Sequence, residues 1–225
     1  ATKSKAPIKF LVNTHHHGDH VAGDPFFANE GAIVVGQENE RKRLLLPQKN
    51  SATGEIDPNP VPANEIPTLT YASKMTLRVN GQTAELSYPG KPAHTDGDTI
   101  IFFPDANVLV AGDIYQAHYP NVDVDSGGGI AGMIAGTDLL LSMANDQTKI
   151  VPGHGPLGDK AHLLKYRAML VSVRDHIKAE VDAGKTEDQM VADNPTKETD
   201  AEWKGTSVFG ALFPRLVYRS LKKNQ

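Results

Sequence analysis

Metal-binding side chains are concentrated near the start of this chain, directly after a mostly apolar run. From His15 to His20 the sequence is His-x-His-x-Asp-His, and the preceding segment Ile8–Val12 has the composition of a strand. In an extended segment alternate side chains face the same way, so His15 and His17 can bind one ion together. Such a block indicates a fold in which the end of a strand lies close to further metal ligands.

The second half of the block supplies two more ligands. Gly18 allows the chain to turn, and Asp19 and His20 leave that turn in other directions, where they can reach a second ion. Neutral imidazole and carboxylate oxygen are both common zinc ligands. The block therefore predicts a two-metal hydrolytic centre.

The alternative interpretation is a histidine-rich surface loop or the remnant of an affinity tag. A tag is a homopolymer at a chain end, whereas this cluster contains an acid and lies between a strand-like and a helix-like segment. Those differences favour the metal-binding interpretation.

Three further metal-ligand candidates follow downstream, each where a strand gives way to a loop. They are His94, Asp113 and His154, and the last two come directly after short apolar runs. A rigid strand can aim a side chain that stands on the loop after it. Any one of these residues alone is weak support, because a lone His after a strand is usually an ordinary loop residue. Together with the first block they complete a set of ligands for two ions.

These segments, in this order, resemble the metallo-β-lactamase superfamily of di-zinc hydrolases. The resemblance covers about residues 10–156, and it implies a four-layer αβ/βα sandwich of the mixed α/β class. It implies that the first metal is held by His15, His17 and His94, that the second is held by Asp19, His20 and His154, and that Asp113 bridges the two. Two zinc ions are the expected cofactors, with iron or manganese as the alternatives.

The reaction expected from this site is attack by a hydroxide that bridges the two ions, at a carbonyl or phosphoryl centre. Asp19 is the expected catalytic residue, since it can bind the second metal and orient the hydroxide. His118 and Tyr119 follow Asp113 closely and are candidates for binding substrate. Tyr119 could polarise a substrate carbonyl, although a packed loop aromatic is the commoner case.

The leading function is hydrolysis of a small-molecule ester, lactone, thioester or β-lactam. A di-iron oxidoreductase on the same scaffold is disfavoured, because that variant typically has Glu at the position of His17. A nuclease is disfavoured by the formal net charge of −4, since nucleic-acid binders usually carry a basic surface. An inactive metal-binding scaffold usually shows ligand losses, and none are seen here.

The chain has no cysteine, which excludes disulfides and thiolate ligands. Some β-lactamases of this superfamily carry a Cys at the second metal and, three residues later, a Lys that holds the substrate carboxylate. Here the corresponding residues are Asp113 and Gln116, so that anchor for a β-lactam is missing.

Composition indicates one globular domain over the 225 residues, with C-terminal helices from about residue 159. No apolar run approaches the roughly 18 residues of a membrane span. We expect a small-molecule substrate as partner, with neither nucleic acid nor membrane. The compartment is left open: the chain is periplasmic if an export signal precedes it, and cytoplasmic otherwise.

The strand pattern predicts two unequal sheets. Two hairpins, one at Asn80-Gly81 and one over residues 99–111, supply the second sheet, while the first has only Phe10–Asn13, Ala32–Val35 and a strand near Leu69. Members of the superfamily normally have more strands before the histidine block. We therefore expect a fragment-like chain whose first sheet is short, with an open edge through which copies could associate.

Overall fold

A computed structural model of the chain describes residues 6–49, 56–57, 61–205 and 208–223. Its strands are β1 (Phe10–Val12), β2 (Ile33–Gln37), β3 (Gln48–Lys49), β4 (Ile56–Asp57), β5 (Leu69–Tyr71), β6 (Lys74–Val79), β7 (Gln82–Ser87), β8 (Ile100–Phe103), β9 (Val108–Gly112) and β10 (Lys149–Pro152). Its helices are α1 (Gly18–Val21), α2 (Asp24–Asn29), α3 (Glu38–Leu44), α4 (Ile130–Met143), α5 (Lys160–Asp182), α6 (Glu187–Ala192), α7 (Lys197–Trp203) and α8 (Val208–Lys223).

The first sheet has three parallel strands in the order β1-β2-β5. Parallel strands need a crossover connection, and α1 and α2 form the one between β1 and β2. Helix α3 follows β2 directly, and Gln37 begins it with a capping box, in which its side chain and that of Glu40 each accept a backbone N–H. The three expected strands of this sheet are confirmed.

The second sheet has five strands in the order β10-β9-β8-β7-β6. Strands β6 to β9 form an antiparallel meander, and β10 adds to β9 in parallel. The first hairpin turns at Asn80 and Gly81, whose φ values of 55° and 72° suit a tight two-residue turn. Both expected hairpins are confirmed.

The sheets and helices form four layers, as expected for the αβ/βα sandwich. Between the sheets lies a core that includes Val35, Tyr71, Leu86 and Ile101. The largest core joins the second sheet to the C-terminal helices, where α5 buries residues at three- and four-residue steps from Leu163 to Val181. A small outer cluster, Val21, Leu44 and Ile66, covers the first sheet.

The three strands of the first sheet cover the five-stranded sheet incompletely. Phe10 and Val12 on β1 and Met75 and Leu77 on β6 pack against the core between the sheets but are only partly buried. Within the described residues β1 pairs with β2 alone, so its other side is an edge. This agrees with the expectation of a short first sheet.

Several further elements complete the fold. The Pro-rich segment 47–67 contains the short β3–β4 pair and a 3₁₀ turn at Ala63–Glu65, and part of it lies outside the described residues. Helix α8 continues through Pro214. Helix α7 has little apolar periodicity and was not expected. Among the described residues, no helix is both long and apolar enough to cross a membrane.

Candidate metal centre

The predicted ligands meet at one edge of the two sheets. Strand β1 ends just before the histidine block, β9 ends at Gly112 beside Asp113, and β10 ends just before Gly153 and His154. Because β9 and β10 run in parallel, their carboxyl ends lie at the same edge. Strand β8 runs antiparallel to β9, so the loop that carries His94 into β8 reaches that edge as well.

Three imidazole rings form a first group of close ligand atoms. The Nε2 atom of His15 lies 3.0 Å from Nδ1 of His17 and 3.1 Å from Nε2 of His94. His17 Nδ1 and His94 Nε2 are 2.9 Å apart. The three nitrogens therefore converge on one point, as ligands of a single ion must.

A second group lies beside the first. His154 Nε2 is 3.1 Å from Asp19 Oδ2, and His20 Nε2 is 3.5 Å from the same oxygen. Asp113 stands between the groups, with Oδ2 3.6 Å from both His94 Nε2 and His154 Nε2 and Oδ1 3.3 Å from His20 Nε2. The structure thus brings together the seven predicted ligand side chains, with Asp113 between the two groups.

Unpartnered buried atoms show that this donor set fits metal ions. His20 Nε2 and Asp113 Oδ1 are both buried and without a hydrogen-bond partner among the described residues. A buried polar atom without a partner is costly, and a cation between the two would satisfy both. The nitrogen and oxygen donors suit zinc and equally other divalent transition metals.

Burial prepares most of these imidazoles for metal binding. Burial and the neighbouring His94 hold the pKa of His15 well below its usual range. Burial likewise lowers the pKa of His94 to about 4 and lowers that of His20. Imidazole binds metal in its neutral form, so these rings are in the required form near neutral pH.

His17 differs because a carboxylate stands behind it. Burial alone would lower its pKa, but the hydrogen bond from Nε2 to Asp123 Oδ2, at 2.9 Å, raises it. Asp123 in turn accepts the backbone N–H of Ser126 at 2.9 Å. A carboxylate behind a metal-binding imidazole fixes the ring orientation and leaves the other nitrogen for the ion.

Two more outer contacts hold ligands in place. The Nδ1–H of His94 donates to the carbonyl of Asn121 at 2.9 Å, which leaves Nε2 for the metal. The Nε2 of Gln116, which is buried, donates to Asp113 Oδ2 at 2.9 Å. Sequence reasoning missed Asp123 and Asn121. An acid three residues before the Gly-rich stretch Ser126–Gly129 was the available signal.

Gly153 lets β10 approach the bridging carboxylate closely. A Cβ atom at this position would overlap Asp113 Oδ1 and lie 3.0 Å from the Asp113 nitrogen. Gly18, by contrast, begins α1, and a Cβ there would meet nothing within 4 Å. The change of direction expected at Gly18 takes the form of a short helix, and that helix presents Asp19 and His20.

Of the other residues singled out, the structure brings neither His118 nor Tyr119 into the ligand groups. The Tyr119 hydroxyl is fully buried and contacts Thr199 Oγ1, 2.5 Å away, and Asp200 Oδ1, 3.0 Å away, in α7. These bonds favour the packed-aromatic interpretation over polarisation of a substrate. His118 bonds through Nδ1 to the Tyr119 carbonyl, 3.0 Å away. His16 turns to Ser126 Oγ at 3.3 Å, consistent with a supporting role.

Comparison with known proteins agrees with this fold. The sequence model of the metallo-beta-lactamase superfamily matches residues 3–154, so the chain belongs to that superfamily. Solved structures with the same fold include a metallo-beta-lactamase from Pontibacter korlensis, with a TM-score of 0.59 at 22% identity over 75% of this chain and 72% of the other. The DIM-1 metallo-beta-lactamase gives 0.52 at 21% identity, covering 71% of this chain and 67% of the other.

One curated relative matches part of the chain. The hydroxyacylglutathione hydrolase of Synechococcus sp. is 30% identical over 95 residues, which are 42% of this chain. The chain spans only 29% of the length of that relative.

Proposed function

We propose that the chain is a two-metal hydrolase of a small-molecule acyl compound. The observation that carries the proposal is the convergence of seven nitrogen and oxygen donors, among which His20 Nε2 and Asp113 Oδ1 lie buried 3.3 Å apart with no hydrogen bond among the described residues. When bound, such ions supply Lewis acidity, which activates water and polarises a carbonyl oxygen. Zinc is the proposed metal, and iron and manganese are the alternatives that metal analysis would identify.

The two carboxylates of the centre differ in exposure, and we assign them different roles on that basis. Asp113 is only 7% exposed and is held by Gln116, so it serves as a fixed bridge. Asp19 is 59% exposed and His154 47% exposed, so solvent reaches the site on their side. We assign to Asp19 the orientation of the attacking water, because it is the exposed carboxylate of the centre.

An acyl thioester is the first substrate class to test. The name of the Synechococcus relative gives hydroxyacylglutathione as what it hydrolyses. A β-lactam ranks lower, because the lysine anchor is absent and Gln116 is turned inward onto Asp113. Lactones and simple esters share the same carbonyl chemistry and stay in the substrate set.

A hydrolysis panel tests this proposal. Metal-free protein and zinc-reconstituted protein would each be offered an acylglutathione, a lactone, nitrocefin, and single-stranded DNA and RNA. We expect turnover of an acyl compound that disappears with chelator and returns with zinc. Cleavage of nucleic acid alone, or no turnover of any acyl compound by a two-zinc protein, would overturn the proposal.

A further inference from the structure

One hydroxyl group lies between a ligand of the first metal group and a ligand of the second. Thr14 Oγ1 is 3.1 Å from Nδ1 of His15 and 3.2 Å from Nδ1 of His20. The two rings themselves are close, with centroids 4.0 Å apart. His15 belongs to the first group and His20 to the second, so this contact spans the centre.

The geometry determines which nitrogen of each ring can carry hydrogen. His15 faces the first group with Nε2, and His20 faces Asp113 with Nε2. A neutral imidazole has one N–H and one lone pair, so a ring that binds metal through Nε2 carries its hydrogen on Nδ1. A hydroxyl oxygen has two lone pairs. The single Thr14 oxygen can therefore accept both Nδ1–H bonds at once.

Thr14 is itself held firmly at the strand end. Its carbonyl accepts the backbone N–H of Thr99 at 2.7 Å. Its side chain packs against Gly112, where a Cβ atom would come within 2.8 Å of Thr14 Cβ. Gly112 directly precedes the bridging Asp113, so the hydroxyl is fixed relative to a ligand that both groups share.

We propose that Thr14 is a positioning residue that sets the ring orientation and tautomer of His15 and His20 together, and so couples the two metal sites. Asp123 acts differently, because it holds only His17 of the first group. This inference rests on the proposed two-metal centre. It is an inference about binding, since Thr14 contacts the ligands and not the substrate.

A pair of substitutions isolates the hydroxyl. Thr14→Ser keeps it and removes the methyl group, whereas Thr14→Ala removes both. Zinc affinity would be measured by competition with a chelating dye. We expect Thr14→Ala to lower the affinity for both zinc ions by about 10- to 100-fold, while the affinities of Thr14→Ser stay close to those of the unmodified protein. Asp123→Asn serves as the comparison and should lower the affinity for one zinc ion much more than for the other.

Spectra of the zinc-loaded, ¹⁵N-labelled protein give a second readout. They should show Nδ1–H and metal-bound Nε2 for both His15 and His20. The opposite tautomer at either ring would overturn the inference even if the Ala variant does not fold. The inference would also be overturned if zinc affinity fell equally in the Ser and Ala variants, if it did not fall in the Ala variant, or if it fell for one ion only. Failure of the unmodified protein to bind two zinc ions would instead reject the proposed function.

Discussion

Asp19 is set apart from the other carboxylate of the centre by its exposure, since 59% of its side chain is accessible against 7% for Asp113. Asp19→Asn should keep the fold but cut turnover by about 100-fold or more, because it weakens the second site and misorients water. Turnover at saturating zinc and bound metal per chain are the measurements. Asp146→Asn, an exposed acid in the turn after α4, is the matched control. Full activity in Asp19→Asn with both metals bound would show that Asp19 is not catalytic.

Glu40 carries a pH dependence that is separate from the metal centre. Burial raises its pKa from 4.5 to about 8, with Asp24 and Asp98 adding to the shift and bonds from Asn13 and Gln37 opposing it. The folded chain therefore holds a proton that the unfolded chain releases above about pH 4.5. The free energy of unfolding should therefore fall as the pH rises from about 4.5 through about 8.

Glu40→Gln tests this directly, because the amide oxygen can still accept the Gln37 N–H. We expect denaturant unfolding from pH 6 to 9 to show a shallower decline in the variant and a gain in stability over the unmodified protein at pH 9. Some slope should remain, since burial also raises the pKa of Asp98 to about 7 and of Asp24 to about 6. Identical slopes would mean that Glu40 is ionised in the folded state.

Among the elements of the fold, the parallel pairing of β9 and β10 places Asp113, just after β9, against Gly153, just after β10. Gly153→Ala should displace Asp113, because its Cβ would overlap the carboxylate. Bound zinc per chain should fall while the melting temperature shows that the protein is folded. Gly18→Ala lies within the histidine block yet adds its methyl group to open space, so it should keep both ions. Equal zinc content in the two variants would contradict this packing argument.

The elements predicted from sequence were those with local signals. The apolar run before His15 and the Asn80-Gly81 turn each need only neighbouring residues, and each is confirmed. The contact of Asp123 with His17 joins residues 106 positions apart. No local pattern encodes such a pair, so it emerges only when the loop before α4 folds over the histidine block.

At the scale of the whole molecule, the edge at β1 leaves apolar side chains such as Phe10 and Val12 only partly covered. Self-association through this edge stays a prediction. We expect sedimentation to show a concentration-dependent dimer that Phe10→Lys weakens. The control is Ile33→Lys, which adds the same charge to β2, opposite Phe10 but inside the sheet. It should weaken the dimer less than Phe10→Lys does. A monomer at all concentrations would contradict the prediction.

We propose that seven side chains of this chain together hold two metal ions. The most direct measurement is a zinc titration of the metal-free protein, with bound zinc counted per chain by elemental analysis after removal of the free ion. We expect saturation at two zinc ions per chain, because the two donor groups lie on either side of Asp113. Saturation at one ion, or no retained zinc, would contradict it.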